Sequence, residues 1–288
     1  MKRVLLVLKY SPKLTAGIII ILSLVLLAIL EPTINFYRLG GRSPTEIGLF
    51  DTFLPPSREH PFGTEAYGRD VLSLLLTGLK YSLLIGFTAG ALATAIAVVL
   101  ASIAGYKGGR IEAFITTIAN AILIIPSWPI LAIIVLFVRK VDLFLLSLIL
   151  AFFSWAGSSR QIKAQIASLR ERPYIDLARV TGFSDLEIMF KEILPNFLPY
   201  IFVGFSYAVT GTIMAETALR LVGLGPADIP SLGQFINWAI YSGTLAQGHY
   251  IIVISPIAFL ILTFVSLNLI NVGLDEVFNP RLKQVTGV

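Results

Sequence analysis

The 288-residue sequence contains no cysteine and only two histidines. Disulfide bonds, thiolate metal sites and cysteine nucleophiles are therefore excluded. His60 and His249 are far apart and neither belongs to a metal-binding pattern such as H-E-x-x-H, so the sequence predicts no metal site. The chain also lacks any Gly-Lys dipeptide, which excludes a Walker A loop for holding ATP phosphates.

Charged residues are scarce as well. They form 14% of the chain against 56% hydrophobic residues, and the mean hydropathy is +0.84. This composition is too apolar for an ordinary soluble domain and indicates an all-α protein that crosses a membrane several times. The net charge of +5 could suit nucleic acid, but the basic residues lie beside apolar runs, where they fix topology, so we expect no nucleic-acid binding.

Long apolar runs predict six transmembrane helices. We expect the first to be retained rather than cleaved as a signal peptide, because Glu31-Pro-Thr lacks the small-x-small pattern of a cleavage site. The prolines at 126 and 129 are expected to kink or break the third. The predicted divisions are an N-terminal tail (1–13), a first transmembrane helix (14–30), an extracytoplasmic loop (31–79), a five-helix core (80–274) with a polar loop (160–192) inside it, and a C-terminal tail (275–288).

The end of the extracytoplasmic loop has a helical pattern. Asp70 suits a helix start, and Val71, Leu72, Leu75 and Leu79 form an apolar face. The pattern predicts an amphipathic helix at the membrane interface or, equally, the first turns of the second spanning helix.

Between two apolar regions, residues 170–196 are dense in charge. Pro173 suits the first turn of a helix, and Gly182 can take the left-handed conformation that ends one. Ser184 and Glu187 have the spacing of a capping box. The stretch therefore predicts two short helices joined at Gly182.

The first of these helices has a mixed face that could dock in a partner's groove. Its members fall at i, i+3, i+4 and i+7 and are Tyr174, Leu177, Ala178 and Thr181. From the spacing alone, an ordinary amphipathic connector between membrane helices is an equally good interpretation.

Asp176-Leu-Ala178, Gly182 and Glu192-Ile-Leu-Pro195 together resemble the EAA loop of ABC importer permeases. Three residues depart from the usual pattern: Asp176 replaces Glu, Leu177 replaces Ala, and Glu192 stands where Ile or His is usual. In that family the loop is a coupling helix that sits in a cleft of the cytoplasmic ATPase.

Three further stretches are similar to the dipeptide, oligopeptide and nickel permeases of that class. They are residues 60–83, residues 216–233, and the closing Asp275 to Arg281. Ala218 and Arg220 depart from the family pattern. The resemblance covers nearly the whole chain, from about residue 60 to residue 283.

The resemblance implies the permease subunit of an ATP-driven importer, without an enzymatic activity or cofactor of its own. Its implied partners are two ABC ATPase subunits that hold Mg-ATP, a second homologous permease that makes a heterodimer, and an extracytoplasmic binding protein. The implied cargo is di- or oligopeptides, with oligosaccharides and nickel left open.

The resemblance also implies roles for particular residues. Asp176, Ala178 and Thr181 are expected to contact the ATPase, and Gly182 is expected to be the bend. Leu194 and Pro195 are expected to anchor the loop to the fifth membrane helix.

Glu216 is the candidate for the substrate pathway, because an ionisable group in a spanning helix is costly unless it faces water or a partner. The alternative is an ion pair with Arg220 at i+4.

The distribution of Lys and Arg predicts that both termini are cytoplasmic. Four lie in the N-terminal tail, two in the turn at Lys107, six in the polar loop and two in the C-terminal tail, against eight elsewhere. A secondary transporter, an intramembrane hydrolase using Ser242 and His249, and a passive structural subunit are the rival interpretations. The hydrolase lacks a G-x-S-x-G motif.

Overall fold

The computed structural model describes residues 11–138, 141–226 and 228–278, and within these ranges it is helical, with no strand. The helices in chain order are α1 (Pro12–Leu39), α2 (Val71–Lys107), α3 (Gly109–Ile124), α4 (Ser127–Phe137), α5 (Leu143–Arg170), α6 (Pro173–Val180), α7 (Asp185–Glu187), a π-helix (Ile188–Ile193), α8 (Leu194–Leu221), α9 (Leu232–Tyr241) and α10 (Tyr250–Phe278). Most of both predicted tails, with the closing Asn279, Pro280 and Arg281, lies outside the described residues.

Helix α1 continues nine residues beyond its predicted end at Leu30. The predicted end rested on the charge of Glu31, but this carboxylate is buried and satisfied. Its oxygens accept from Lys80 Nζ at 3.0 Å, from Thr77 Oγ1 at 2.7 Å and from Asn35 Nδ2 at 2.8 Å. A buried charge with this many partners does not have to mark the end of a span.

Helix α2 runs without interruption from Val71 to Lys107, so of the two interpretations of residues 71–79 the structure has the first turns of the spanning helix and not a separate interfacial helix. The Asp70 carboxylate caps α2 by accepting from the backbone N–H of Ser73 at 2.8 Å. Val71, Leu75 and Leu79 are fully buried, and so is Ser73 on the other side of the helix. An interfacial helix needs one face in water, whereas these turns are surrounded by protein.

Asp70 also organises the loop that precedes it. Its Oδ2 lies 2.8 Å from Nδ1 of His60 and accepts from Arg38 at 3.0 Å. The second histidine, His249, stacks on Phe53 with ring centroids 4.3 Å apart. Both histidines therefore have structural contacts within this end of the molecule.

The predicted break in the third span is confirmed. Helices α3 and α4 meet at an angle of 81° across Ile125 and Pro126. Ile125 is extended, as expected of a residue that precedes proline, and Pro126 leads directly into α4.

The two ends of the described chain lie on the same side of the helix bundle. Lys13, in the first turn of α1, places its Nζ 2.6 Å from Oε1 of Glu276, near the end of α10. Since each full crossing reverses sides, the number of crossings is even. Five helices of the described chain are long and apolar enough to span a membrane, so α3 and α4 together make the sixth span.

Helices α1 and α10 approach so closely that only glycine fits where they cross. A Cβ added to Gly17 would lie 2.7 Å from the carbonyl oxygen of Ser266. A Cβ on Gly273 would lie 2.6 Å from the Cα of Leu14. Small residues that allow backbones to touch are a common basis of helix packing in membranes.

We expect Gly17→Ala to lower the free energy of unfolding by about 1–3 kcal/mol, since a backbone atom must move to admit the methyl group. Gly211→Ala on α8 is the matched control, because a Cβ there meets nothing within 4 Å. Alanine should be neutral or slightly stabilising at that position. Thermal unfolding of the two detergent-purified variants checks this, and equal midpoints would contradict the close-packing argument.

Helix α5 extends eleven residues past its predicted end at Ser159, so the predicted loop over 160–192 begins as helix. Ile162 and Ile166 are buried in one cluster with Ile175 and Ile193. This packing stabilises α5 as a helix as far as Arg170, although charged residues lie between the buried isoleucines. The irregular part of the connection is residues 171–193, which we call the 171–193 segment.

Candidate functional site

The sequence of the 171–193 segment explains the joint at Gly182, just past the end of α6, where the chain changes direction. Helix α6 begins with Pro173 at its first position and ends at Val180, and Gly182, two residues later, has a φ of +86°. The N–H of Gly182 donates to the carbonyl of Arg179 at 3.1 Å, and the N–H of Phe183 donates to that of Ala178 at 3.0 Å. These two bonds form a Schellman motif, and the predicted helix end at glycine is confirmed.

The predicted capping box is also present. Ser184 Oγ accepts from the N–H of Glu187 at 3.3 Å, while the Glu187 carboxylate accepts from the N–H of Ser184 at 3.1 Å. From there the chain runs through the π-helix into α8 without a gap. Pro195 has no N–H to donate, and the N–H of Leu194 donates five residues back, to Met189.

One face of α6 packs against the protein itself. Ile175 is fully buried and Ala178 is 7% exposed, and both belong to the cluster that contains Ile188 and Ile193. Ala178 was expected to contact an ATPase, but it points into this core. The sequence spacing could not tell whether Ala178 lies on the buried or on the open face of α6, because its position falls at the boundary between the two faces.

The opposite face of α6 is open. Asp176 and Thr181 lie on it, and Asp176 pairs with Arg179 at 3.0 Å. The large apolar side chains that the 171–193 segment exposes are Tyr174, Leu177, Val180, Phe183, Leu186 and Phe190. Exposed apolar groups beside charges mark a surface for another protein or for the membrane.

The structure exposes three of the four residues predicted for the docking face, and docking itself stays a prediction. Tyr174, Leu177 and Thr181 are exposed as a docking face requires, and Ala178 is not. Sequence reasoning missed Val180, which is 85% exposed and lies three residues after Leu177. Its i+3 spacing from Leu177 was the available signal.

Tyr106, in the last turn of α2, contacts both the 171–193 segment and the end of α5. The hydroxyl of Tyr106 donates to Oδ1 of Asp185 at 2.8 Å. Nη1 of Arg170 donates to the carbonyl of Tyr106 at 3.1 Å. The segment is thus joined to α2 by a hydrogen bond, and along the chain it continues from α5 and leads into α8.

The two predicted anchors differ in their surroundings. Leu194 is partly buried and packs against the same core cluster as Ile193. Pro195 is exposed in the first turn of α8. Their anchoring role stays a prediction, and Leu194 has the packing that it requires.

Glu216 forms the ion pair that the alternative interpretation describes. Its Oε1 accepts from Nε of Arg220 at 2.9 Å, and both side chains are 1% exposed. Arg220 also donates to the carbonyls of Pro226 and Ile229 in the loop that follows α8. The pathway role of Glu216 stays a prediction.

A groove of about 350 Å³ runs between the bent pair α3–α4, α5 and α8. Its polar lining includes Ser154, Ser158 and Gln161 of α5 and Tyr207 of α8. Gly157 and Gly211 also line it, and a Cβ on either would meet nothing within 4 Å. No sequence pattern predicted this groove, because it depends on which helices are neighbours.

Six spans, the third of them broken at proline, and an exposed apolar face on α6 are the features of a multi-pass membrane protein with a surface for a partner. Residues 97–284 match the family described as binding-protein-dependent transport system inner membrane component, and the chain belongs to this family. The protein is thus the membrane-embedded permease component of an ABC importer. The family implies ATPase and binding-protein partners.

The chain is similar to several curated permeases. It is 28% identical to the dipeptide transport system permease protein DppC of Bacillus subtilis, over 93% of this chain and 82% of that one. It is 33% identical to the oligopeptide transport system permease protein OppC of Mycobacterium bovis, over 80% of this chain and 79% of that one. It is 28% identical to the oligopeptide transport system permease protein OppC of Bacillus subtilis, over 93% of this chain and 85% of that one.

Proposed function

We propose that this chain forms one half of the transmembrane pathway of an importer for di- and oligopeptides. The observation that carries the proposal is the exposed face of α6. The opposite face of the same helix is buried in the core of the permease and holds the helix in place. The exposed face offers apolar contacts to a partner without unfolding any part of the permease. The similar dipeptide and oligopeptide permeases support peptides as the cargo.

In this proposal two ATPase subunits bind and hydrolyse Mg-ATP on the side where both ends of the described chain lie, which is then the cytoplasm. Tyr174, Leu177 and Thr181 face the ATPase, with Asp176 and Arg179 at the edge of the contact. Closure of the ATPase pair moves the 171–193 segment, and α2, α5 and α8 move with it between inward- and outward-open arrangements.

A second, related permease would complete the pathway as a heterodimer, and an extracytoplasmic binding protein would deliver the peptide. The groove between α4, α5 and α8 is the part of this chain that we place along the path. Its serine, glutamine and tyrosine side chains offer hydrogen bonds to a peptide backbone without selecting one side chain. Oligosaccharides and nickel are the alternative cargoes, and a secondary transporter is the alternative class.

The test is to purify the chain from its own membrane in mild detergent, identify the proteins that remain bound, and reconstitute the assembly in vesicles. Uptake of a labelled dipeptide that requires ATP and the binding protein supports the proposal. Uptake driven by an ion gradient without ATP would identify a secondary transporter. Uptake of an oligosaccharide or Ni²⁺ in place of the peptide would correct the cargo only.

Leu177→Asp tests the docking face. Placing a charge in a buried apolar contact is expected to lower retention of the ATPase subunits on the purified permease at least about tenfold. Ile47→Asp is the matched control, because Ile47 is 69% exposed against 64% for Leu177 but lies at the other end of the molecule. Equal retention of the ATPase by both variants would show that this face is not the docking site.

A further inference from the structure

A narrow apolar cleft lies between the last turns of α2 and the 171–193 segment. Its volume is about 250 Å³, and Val99, Ile103, Leu186, Met189 and Phe190 form most of its walls. Val99 and Ile103 are 57% and 40% exposed, although they belong to a helix that spans the membrane. The cleft therefore opens on the side of α2 that the protein itself does not cover.

A basic hollow of about 540 Å³ continues from this cleft. The two share Tyr106, Lys107 and Asp185, and the hollow adds Arg110 and Arg179. Across the ranges that the structure describes, Lys107 and Arg110 have no ion-pair partner, while Arg179 pairs with Asp176. Asp185 is the acidic residue of the lining, and its Oδ1 accepts from Tyr106.

The cleft and the hollow lie at two different depths in the membrane. Tyr81 to Tyr106 is uncharged, and Lys107 is the first charge after it, which places Lys107 at the level of the lipid headgroups. Val99 and Ile103 come four to eight residues earlier, about 6–12 Å deeper along the helix. The apolar cleft is thus at the depth of acyl chains and the basic hollow at the depth of phosphates.

We propose that the composite cleft binds one anionic phospholipid of the adjoining leaflet. An acyl chain would lie against Val99, Ile103 and Phe190, and the phosphate would lie between Lys107 and Arg110. An amphiphile with an apolar chain and a negatively charged headgroup matches this arrangement, in which the apolar cleft lies deeper in the membrane than the basic hollow.

The charge of the hollow decides which kind of amphiphile fits the composite cleft. The unpaired charges of Lys107 and Arg110 favour an anionic over a neutral headgroup.

A regulatory consequence follows, and this part rests on the proposed function. The lipid would sit directly against Tyr106 and Asp185, whose hydrogen bond joins α2 to the 171–193 segment. Its presence would brace that contact and limit how far the segment can move away from α2. Anionic lipid would then raise the fraction of ATP hydrolysis that responds to substrate.

The binding claim is tested on the chain purified with whatever subunits stay bound. Native mass spectrometry after addition of phosphatidylglycerol or phosphatidylcholine counts the lipids retained. We expect preferential retention of phosphatidylglycerol and a loss of at least about tenfold in Lys107→Gln/Arg110→Gln. Arg42→Gln/Arg58→Gln is the matched control, because it removes the same charge at the opposite end of the molecule.

Val99→Trp tests the apolar part, since an exposed position admits a large side chain that fills the cleft without disturbing the core. It is expected to displace the lipid while leaving the unfolding temperature unchanged. Equal retention of the two lipids, equal losses in the two double variants, or a photo-crosslink from position 103 to another subunit would each overturn the proposal. These readouts need no ATP hydrolysis, so they stand apart from failure of the proposed function.

Discussion

We expect the Gly182→Val permease to assemble with its ATPase partners and yet lose most of its substrate-stimulated ATP hydrolysis. Gly182 has a φ of +86°, and a β-branched residue held in such a conformation costs about 1–3 kcal/mol. Nothing lies within 4 Å of a Cβ at this position, so the change acts on the backbone alone. The strain can be relieved only if the two hydrogen bonds that end α6 break. The orientation of α6 relative to the rest of the permease would then change.

The control is Gly182→Asn at the same exposed position. Asparagine is one of the few residues that adopt the left-handed conformation readily, so this variant should retain most of the activity. The measurement is the ratio of ATP hydrolysis with and without loaded binding protein in reconstituted vesicles. If valine and asparagine gave the same ratio as glycine, the angle of this joint would have no part in coupling.

The second large effect is expected at Arg220. Arg220→Met removes the partner of a buried carboxylate and frees two loop carbonyls, and losing one member of a buried pair typically costs about 3–5 kcal/mol. Lys13→Met is the matched control, since it also breaks a Lys/Arg–Glu pair, but one whose lysine side chain is 52% exposed. That change should cost less than about 1 kcal/mol.

Tryptophan fluorescence during thermal unfolding of the detergent-purified chain measures both changes. Similar midpoints for the two variants would mean that the Glu216–Arg220 pair carries no special stability. Transport by Glu216→Gln then addresses the pathway prediction separately. A variant that unfolds normally but no longer transports would give Glu216 a role beyond this ion pair.

Local chemistry was readable from the sequence wherever one stretch decides it. Pro126 broke the third span, Gly182 ended α6, and Ser184 with Glu187 formed the capping box, because each rule involves residues within a few positions of one another. The family resemblance was likewise carried by contiguous motifs and is confirmed by the family match.

Predictions failed where a distant residue decides the outcome. The first helix passes through Glu31 because Lys80, forty-nine positions later, neutralises its charge. Ala178 turns inward because Ile188 and Ile193 complete a core on that side. Arg220 is the sharpest case, since a departure from the family pattern became the residue that holds the loop after α8.

The length of α5 sets the scale of motion available to the importer. Its 28 residues form one continuous rod about 42 Å long, which outreaches the hydrocarbon core of a bilayer by about 12 Å. If the rod pivots near its midpoint, a tilt of about 10° displaces its Arg170 end by about 4 Å. The mechanical stroke at the 171–193 segment can then be as short as a few ångströms, with no helix bending or melting along the way.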